Sequence, residues 1–164
     1  MFKNNFLDLG KKLWPLNRSL TGKGVRQTLK ILKRYNSKLK IIKFKSGSKV
    51  FDWVIPNEWE VKDAWIKDRN NKILVDFKKN NLHLVGYSCS IKKDLSFKNL
   101  KKKLHFHKDQ PNAIPYVTSY YKKDWGFCLS YKQFKRFKKT ERYKIYVNSS
   151  YKRGFLNCAE IFIP

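Results

Sequence analysis

The chain has 164 residues, 41% hydrophobic and 16% aromatic, a composition that is typical of a globular protein and excludes an intrinsically disordered one. Its 38 Lys and Arg outnumber its 12 Asp and Glu, and the formal net charge is +26. Such a charge favours anionic partners. Most of the basic residues are Lys, however, and bidentate phosphate contacts favour Arg, so we interpret much of the charge as solvated basic faces rather than as a nucleic-acid surface.

Cysteine usage and hydropathy predict a cytoplasmic protein. The three cysteines, Cys89, Cys128 and Cys158, are widely spaced, which argues against a disulfide framework and for a reducing compartment. The first residues interrupt their apolar positions with Lys, Asn and Asp, unlike a signal peptide. No apolar run is long enough to span a bilayer, so no membrane partner is expected.

In chain order, the first predicted element is a helix that is capped by Ser19 or Thr21 and ends near Tyr35 and Asn36. Its apolar residues share one arc and its basic residues share the opposite arc, as on a helix that packs against a core. The two glycines at its start lack the full spacing of a phosphate-binding loop. A strand at 40–45 and a turn follow it.

The densest aromatic and acidic stretch is VFDWVIPNEWEVKDAW, residues 50–65. Pro56 disfavours the helical region for the residue before it, so we expect residues 50–55 to be extended and the chain to turn near Asn57. The three tryptophans of this stretch should anchor a core on both sides of the turn. The stretch is interpreted as a structural turn with an acidic cluster, and a recognition surface is the alternative.

The middle of the chain predicts three strands and a short helix. Strands are expected at 61–68, 73–77 and 82–88, and a helix at 96–104 with Phe97, Leu100 and Leu104 on its buried side. His83, next to apolar residues in the third strand, is interpreted as a half-buried histidine with satisfied hydrogen bonds rather than as a ligand.

Two candidate chemical sites in this region have weak patterns. His105, His107 and Asp109 are close in sequence, but no second cluster is present to complete a tetrahedral metal site. Cys128 would need a base and an orienting group to act as a nucleophile, and the spacing indicates neither. We interpret Cys128 as a small buried residue.

The last third of the chain is predicted to be mostly strand. Residues 115–131 should form two strands around a turn at 122–124, and residues 131–139 an amphipathic helix. Residues 143–148 alternate as a strand. Residues 155–163 are apolar on both faces, which predicts a central strand that is covered on each side.

Blocks along nearly the whole chain resemble the aminopeptidase-like proteins, a bacterial and archaeal family often linked to polysaccharide biosynthesis, whose catalytic domain is similar to M28-type zinc peptidases. The most specific blocks are FDWxxPxEW and SYYxxxWGFC. The similar segments are LNRSLTGKGVRQTLKIL (16–32), SGSKVFDWVIPNEWEVKDAWIKD (46–68), NLHLVGYS (81–88), PYVTSYYKKDWGFCLS (115–130) and YKIYVNSSYKRGFLNCAEIFIP (143–164).

The resemblance implies an α+β chain in which a β-rich domain is inserted into an α/β zinc-peptidase-like domain. Residues 1–45 would supply the first helix and strand of the peptidase-like part, 46–139 the inserted domain, and 140–164 the returning strands. Family members carry their metal-binding residues and general base after the segment that corresponds to Pro164. No catalytic or metal residue is therefore carried over, and zinc is implied only for a complete member.

Two functional hypotheses follow from the sequence. In the first, the chain is the N-terminal part of a zinc aminopeptidase-like hydrolase, inactive alone, and binds a separately encoded C-terminal half or a second copy through its last strand. In the second, it is a basic module that binds nucleic acid or an anionic polysaccharide through residues 122–144 and the helix face formed by Lys23, Arg26, Lys30, Lys33 and Arg34. The candidate recognition residues are Asp52, Trp53, Glu58, Trp59, Tyr120, Tyr121 and Trp125.

Overall fold

A computed structural model describes residues 2–163. Met1 and Pro164, the outermost residues of the predicted terminal segments, lie outside the described residues. The chain is mixed α and β, with more strand than helix. It divides into unit 1, residues 1–60 and 151–164, and unit 2, residues 61–150.

The secondary structure comprises short helices and mostly short strands. None of the helices within residues 2–163 has the length and apolar character needed to cross a membrane. In chain order the elements are α1 (Phe2–Leu13), α2 (Lys23–Tyr35), β1 (Lys40–Lys45), β2 (Lys49–Val50), β3 (Trp53–Val54), β4 (Glu58–Lys67), β5 (Ile73–Asp76), a 3₁₀ helix (Asn81–His83), β6 (Ile91–Ser96), α3 (Phe97–Lys101), β7 (Leu104–His105), β8 (Phe127–Cys128), α4 (Tyr131–Phe134), β9 (Arg142–Lys152) and β10 (Phe155–Glu160).

In unit 1, α2 has the predicted extent but not the predicted cap. Gly22 occupies the N-cap position with φ 107°, and no side chain caps the helix. Thr21 is buried, and its hydroxyl donates instead to the Asn57 carbonyl at 3.1 Å. A Cβ at Gly22 would lie 2.8 Å from the Trp59 carbonyl oxygen. Glycine is therefore required both by its positive φ and by this close backbone approach.

The chain between β1 and β4 forms a hairpin rather than one extended segment. In β2 and β3, Val50 pairs with Trp53, and the chain reverses at Phe51, which has φ 55°. The predictions of an extended stretch over 50–55 and of a turn near Asn57 are therefore wrong. Trp59 is a core residue at 3% exposure, as the sequence indicated, whereas Trp53 is only half-buried.

β1 and β10 form an antiparallel ribbon, with Lys40 opposite Glu160 and Lys45 opposite Phe155. The predicted strand at 40–45 is confirmed. β10 ends at Glu160 rather than at Ile163, and it is not covered on both sides within the described chain, since Phe155 is 43% exposed and Cys158 is exposed as well.

Unit 2 is built on a four-stranded sheet in the order β5-β4-β9-β6. In β9, Tyr143, Ile145 and Val147 alternate with less buried residues and are each 1% exposed. Alternation of this kind places one face of a strand on the core. On β4 and β9, Trp65 and Tyr146 stack with ring centroids 5.2 Å apart.

The segment predicted as a strand at 82–88 begins as a 3₁₀ helix. The Asn80 side-chain oxygen accepts from the Leu82 N–H at 3.0 Å and caps this turn, which competes locally with strand formation. His83 is 5% exposed, and its Nδ1 lies 2.8 Å from the Cys128 carbonyl oxygen. It is a satisfied core residue, as expected, but is fully rather than half buried.

The two other helices predicted in this part of the chain are shorter than expected. α3 covers Phe97–Lys101, and its buried side is the predicted one, since Phe97, Leu100 and Leu104 are all at most 8% exposed. α4 begins with a capping box between Ser130 and Gln133 and ends at Phe134. The predicted helix over 131–139 therefore extends for only its first turn.

Candidate functional site

A cleft of about 310 Å³ in unit 2 is the candidate functional site. It combines aromatic rings, hydroxyls, an imidazole, a carboxylate and an ammonium group over an apolar floor, a mixture typical of ligand sites. Its lining residues are Val85, His105, Val117, Thr118, Ser119, Tyr121, Lys122, Asp124 and Trp125.

Most of the cleft is formed by the irregular segment 115–126, where the sequence predicted a hairpin. The segment pairs with the chain around Gly86 instead, whose N–H donates to the Val117 carbonyl and whose carbonyl accepts from the Ser119 N–H, each at 2.8 Å. The Cys89 N–H donates to the Asp124 carbonyl at 2.9 Å. Because these partners come from elsewhere in the chain, the predicted hairpin is wrong.

A tight turn decides which tyrosine of the segment faces outward. The Lys122 N–H donates to the Ser119 carbonyl at 2.9 Å and closes the turn. Tyr120 packs inward, edge-on against Tyr87 with ring centroids 5.3 Å apart. Tyr121 faces outward at 85% exposure, and it is one of the residues that line the cleft.

The wall of the cleft that carries Asp124 is held by two contacts to one carboxylate oxygen. Oδ1 accepts from Lys103 Nζ at 2.5 Å and from the Trp125 N–H at 2.8 Å. These hydrogen bonds, that from Lys103 foremost, hold the pKa of Asp124 below its ordinary value. Lys103 Nζ also lies 5.8 Å from the centre of the Trp125 ring, within the range of a cation–π contact.

The floor of the cleft requires a glycine. A Cβ on Gly126 would lie 2.9 Å from Val85 Cγ2, 3.1 Å from the Lys103 carbonyl oxygen and 3.2 Å from His105 Nε2. Because Gly126 has no side chain, the pairing of β7 with β8 can bring His105 close to the aromatic residues of the cleft. Burial lowers the pKa of His105, and the charge of Asp124 opposes this effect only in part.

A second depression of about 310 Å³ adjoins the first and shares His105 and Val117 with it. It is lined further by His107 and by Tyr116, which is 69% exposed. The two depressions thus adjoin at these two residues, and each is lined by an exposed tyrosine.

The structure does not bring all the candidate recognition residues into this cleft. Tyr121 and Trp125 line it and Tyr120 supports it, whereas the other four residues belong to unit 1. Asp52 is exposed and Trp53 is half-buried. Glu58 and Trp59 are each only 3% exposed.

Glu58 is part of an ion pair in the interior of unit 1. One carboxylate oxygen contacts Arg26 Nη1 and accepts from the Phe155 N–H at 3.0 Å. Burial alone would raise the pKa of Glu58, but the hydrogen bonds from Arg26 and Phe155 together lower it. Arg26 therefore faces acids, including Glu60 at 3.8 Å, and not the basic helix face predicted as an anion-binding surface.

The other chemical candidates do not converge. Cys128 is fully buried, and burial raises the pKa of its thiol to about 11, as suits an inert residue. His107 and Asp109 are exposed. Within residues 2–163 no group of three or more His, Cys, Asp or Glu could hold a metal ion. The described residues thus do not fit the zinc implied by the resemblance, and we assign them no catalytic step.

The sequence interpretation missed the polar half of the cleft: Thr118, Ser119 and Asp124. The available signal was the block SYYKKDW, in which hydroxyl, acidic and aromatic residues are adjacent. His105 was considered only as a metal ligand. Its place in the cleft depends on the pairing of β7 with β8, which joins segments far apart in sequence.

Comparison with known proteins confirms the resemblance. The chain is 40% identical over 156 residues to a protein of Clostridium acetobutylicum named "Putative polysaccharide biosynthesis protein with aminopeptidase-like domain". A crystal structure from the same organism, titled as a putative peptidase, matches with a TM-score of 0.88 at 38% identity. Each match covers 95% of this chain but only 36% of the other protein.

The family match falls on unit 2 and the residues just before it. The family described as "Domain of unknown function (DUF2172)" matches residues 58–150, and unit 2 spans 61–150. The cleft therefore lies entirely within the matched region. Since the match covers more than half of the chain, the protein belongs to the DUF2172 family.

Proposed function

We propose that this chain is the N-terminal part of a zinc aminopeptidase-like hydrolase linked to polysaccharide biosynthesis, and that it is inactive alone. Unit 1 would provide strands of the peptidase-like part, and unit 2 would be the inserted domain. The single observation that supports this proposal best is the β1–β10 ribbon, which has apolar residues on both faces.

The cross-strand pairs of the ribbon indicate cover on each side. Ile42 is opposite Cys158 on one face, and Ile41 is opposite Ala159 on the other. Strands with two apolar faces are typical of sheets that are covered on both sides. Yet Phe44 on β1 is 41% exposed, and Phe162 just after β10 is 83% exposed. The proposed occupant of this surface is the remainder of the peptidase-like protein.

Catalysis would then depend on that remainder. In zinc peptidases the metal supplies an activated water and polarises the scissile carbonyl, and its ligands would come from outside residues 2–163. The residues of this chain would contribute strand pairing and apolar cover only. The three cysteines are all unpaired, which supports a reducing compartment such as the cytoplasm.

Co-expression with the remainder of the Clostridium relative tests the proposal. The two polypeptides should co-purify, and zinc-dependent hydrolysis of aminoacyl substrates should require both. Phe44→Glu should weaken their association at least about tenfold, since a charge would be buried without a partner. Tyr116→Glu is the matched control, because Tyr116 is exposed but belongs to unit 2. Zinc-dependent hydrolysis by the 164-residue chain alone would overturn the proposal.

Without the remainder, the same surface should cause self-association. The net charge of +26 opposes it at low salt, but this repulsion is screened over about 10 Å at 0.1 M salt. Sedimentation across a salt series should show growing association that Phe44→Glu suppresses. A monodisperse monomer at every salt concentration would contradict an uncovered ribbon.

A further inference from the structure

We propose that the unit 2 cleft binds an uncharged saccharide, with the adjoining depression taking the next sugar of an oligosaccharide. The proposal goes beyond the peptidase-like function and does not depend on it. It rests on the pairing of exposed aromatic rings with hydrogen-bonding groups that are held in place by the fold.

The aromatic rings suit the apolar face of a pyranose. Tyr121 is 85% exposed although it is a large apolar side chain, and Tyr120 braces it at a ring-centroid distance of 4.4 Å. Trp125 is braced from within by Phe127, edge-on at 6.5 Å. Rings held in this way present apolar area to a ligand at low conformational cost.

Three polar side chains of the cleft can accept hydrogen bonds, which suits the donor hydroxyls of a sugar. Ser119 Oγ and Thr118 Oγ1 donate to the Gly86 carbonyl at 3.1 and 3.4 Å, so their lone pairs remain available to accept from a ligand. Asp124 is 46% exposed, and both of its contacts are to Oδ1. Oδ2 is therefore the carboxylate oxygen that a sugar hydroxyl can approach.

The charges of the lining argue against a phosphorylated or strongly acidic ligand. Neither depression is lined by Arg, the residue best suited to bidentate phosphate recognition. Asp124 would repel an anion, and Lys103 is already engaged with it. Asp124 and Lys122 are the two charged side chains that line the first depression, so the lining itself carries no net charge and an uncharged ligand fits best.

The adjoining depression gives the ligand its length. It continues past His105 and Val117 to the exposed ring of Tyr116. Tyr121 and Tyr116 therefore mark one position in each depression, and the proposal assigns one sugar to each. Burial favours the neutral form of His105 by lowering its pKa, and the neutral imidazole between the two positions offers one donor and one acceptor.

Titration of the full chain with defined saccharides, followed by amide NMR shifts, tests the proposal. The probes are tetrasaccharides of glucose and of N-acetylglucosamine, their monosaccharides, a polyuronate tetramer and inorganic phosphate. An uncharged tetrasaccharide should shift amides of 104–107 and 116–126. Tyr121→Ala should weaken its binding at least about tenfold, equivalent to about 1.4 kcal/mol.

Two variants make the outcome specific. Tyr116→Ala should weaken the binding of the tetrasaccharide and leave the binding of the monosaccharide unchanged. Trp14→Ala is the matched control, since Trp14 is 66% exposed and belongs to unit 1. It should change the binding of neither saccharide. The proposal is overturned if no uncharged saccharide shifts these amides, if Tyr121→Ala binds like Trp14→Ala, or if phosphate or the polyuronate binds more tightly. Binding is measured without the remainder of the peptidase-like protein, so its failure leaves the proposed function intact.

Discussion

Replacing Arg26 with Met should destabilise unit 1 strongly, because Glu58 would keep its buried charge without its main partner. Glu58 is 3% exposed, whereas Arg26 is 33% exposed. Breaking a buried pair costs about 3–5 kcal/mol. Water can enter from the exposed Arg26 side, and the Phe155 N–H still donates to the carboxylate. We therefore expect a loss of about 2–3 kcal/mol in the free energy of unfolding.

The matched control is Arg34→Met, which removes an exposed Arg from the last turn of the same helix. It should cost less than about 0.5 kcal/mol. Adding Glu58→Gln to Arg26→Met should restore about 1–2 kcal/mol, since a neutral amide can still accept from Phe155. Urea unfolding at pH 7, with hydrogen exchange of the β1 and β10 amides as the readout for unit 1, measures all three variants.

The pH dependence gives the sign of the interaction. The folded-state pKa of Glu58 is below its ordinary value, so the pair stabilises the protein above the unfolded pKa of about 4.3. This contribution is lost as the pH falls through the lower folded value. The difference between wild type and Arg26→Met should therefore shrink in acid. The reasoning is refuted if Arg26→Met costs no more than Arg34→Met at pH 7, or if Glu58→Gln restores nothing.

Three further predictions concern His83, Tyr143 and the cysteines. Burial lowers the pKa of His83, so the free energy of unfolding should fall as the pH drops below about 6.5. The urea midpoint should fall less with pH in His83→Gln than in wild type, and an equal pH dependence in both proteins would contradict this. Tyr143→Phe should lower the free energy of unfolding in urea by about 1–2 kcal/mol, because the phenol accepts from the Lys138 N–H at 2.7 Å and donates to the Lys138 carbonyl at 3.1 Å. A loss below about 0.3 kcal/mol would mean that water replaces both hydrogen bonds. In native protein at pH 8, iodoacetamide should label exposed Cys158 first and Cys128 last, and equal rates by mass spectrometry would show that Cys128 is accessible.

Local periodicity predicted the elements whose register is set by one buried face. The helix ending at Tyr35 and the strand at 40–45 were predicted correctly, as was the buried side of the helix that begins at Phe97. In the two helices, the apolar spacing alone identifies the side that packs on the core.

Where hydrogen-bond partners come from distant segments, the sequence prediction was wrong or incomplete. Residues 82–88 and 115–126 looked like strands, but they pair with each other around Gly86 and form the cleft. Composition does not reveal such pairing, because irregular backbone satisfies its polar groups only through the tertiary structure. Glu58 was likewise a candidate recognition residue in the sequence, and the structure pairs it with Arg26.

The domain limits implied by the resemblance stay a prediction, and the two units of the structure are defined by contacts between distant segments. The predicted inserted domain, 46–139, shares most of its residues with unit 2, 61–150. Residues 46–60 belong instead to unit 1, where the Ser46 N–H donates to the Gly154 carbonyl at 2.9 Å and Glu58 accepts from Phe155. These contacts join positions about a hundred residues apart, which no local pattern records.

The sequence alone determined the family, through the FDWxxPxEW and SYYxxxWGFC blocks, and the alternation of β9, because both are properties of neighbouring residues. The tertiary structure alone decided that Glu58 is a buried ion-pair partner and that Tyr121, Asp124 and His105 share a cleft. The physical reason is that burial, charge pairing and cleft geometry depend on which distant segments the folded chain brings into contact.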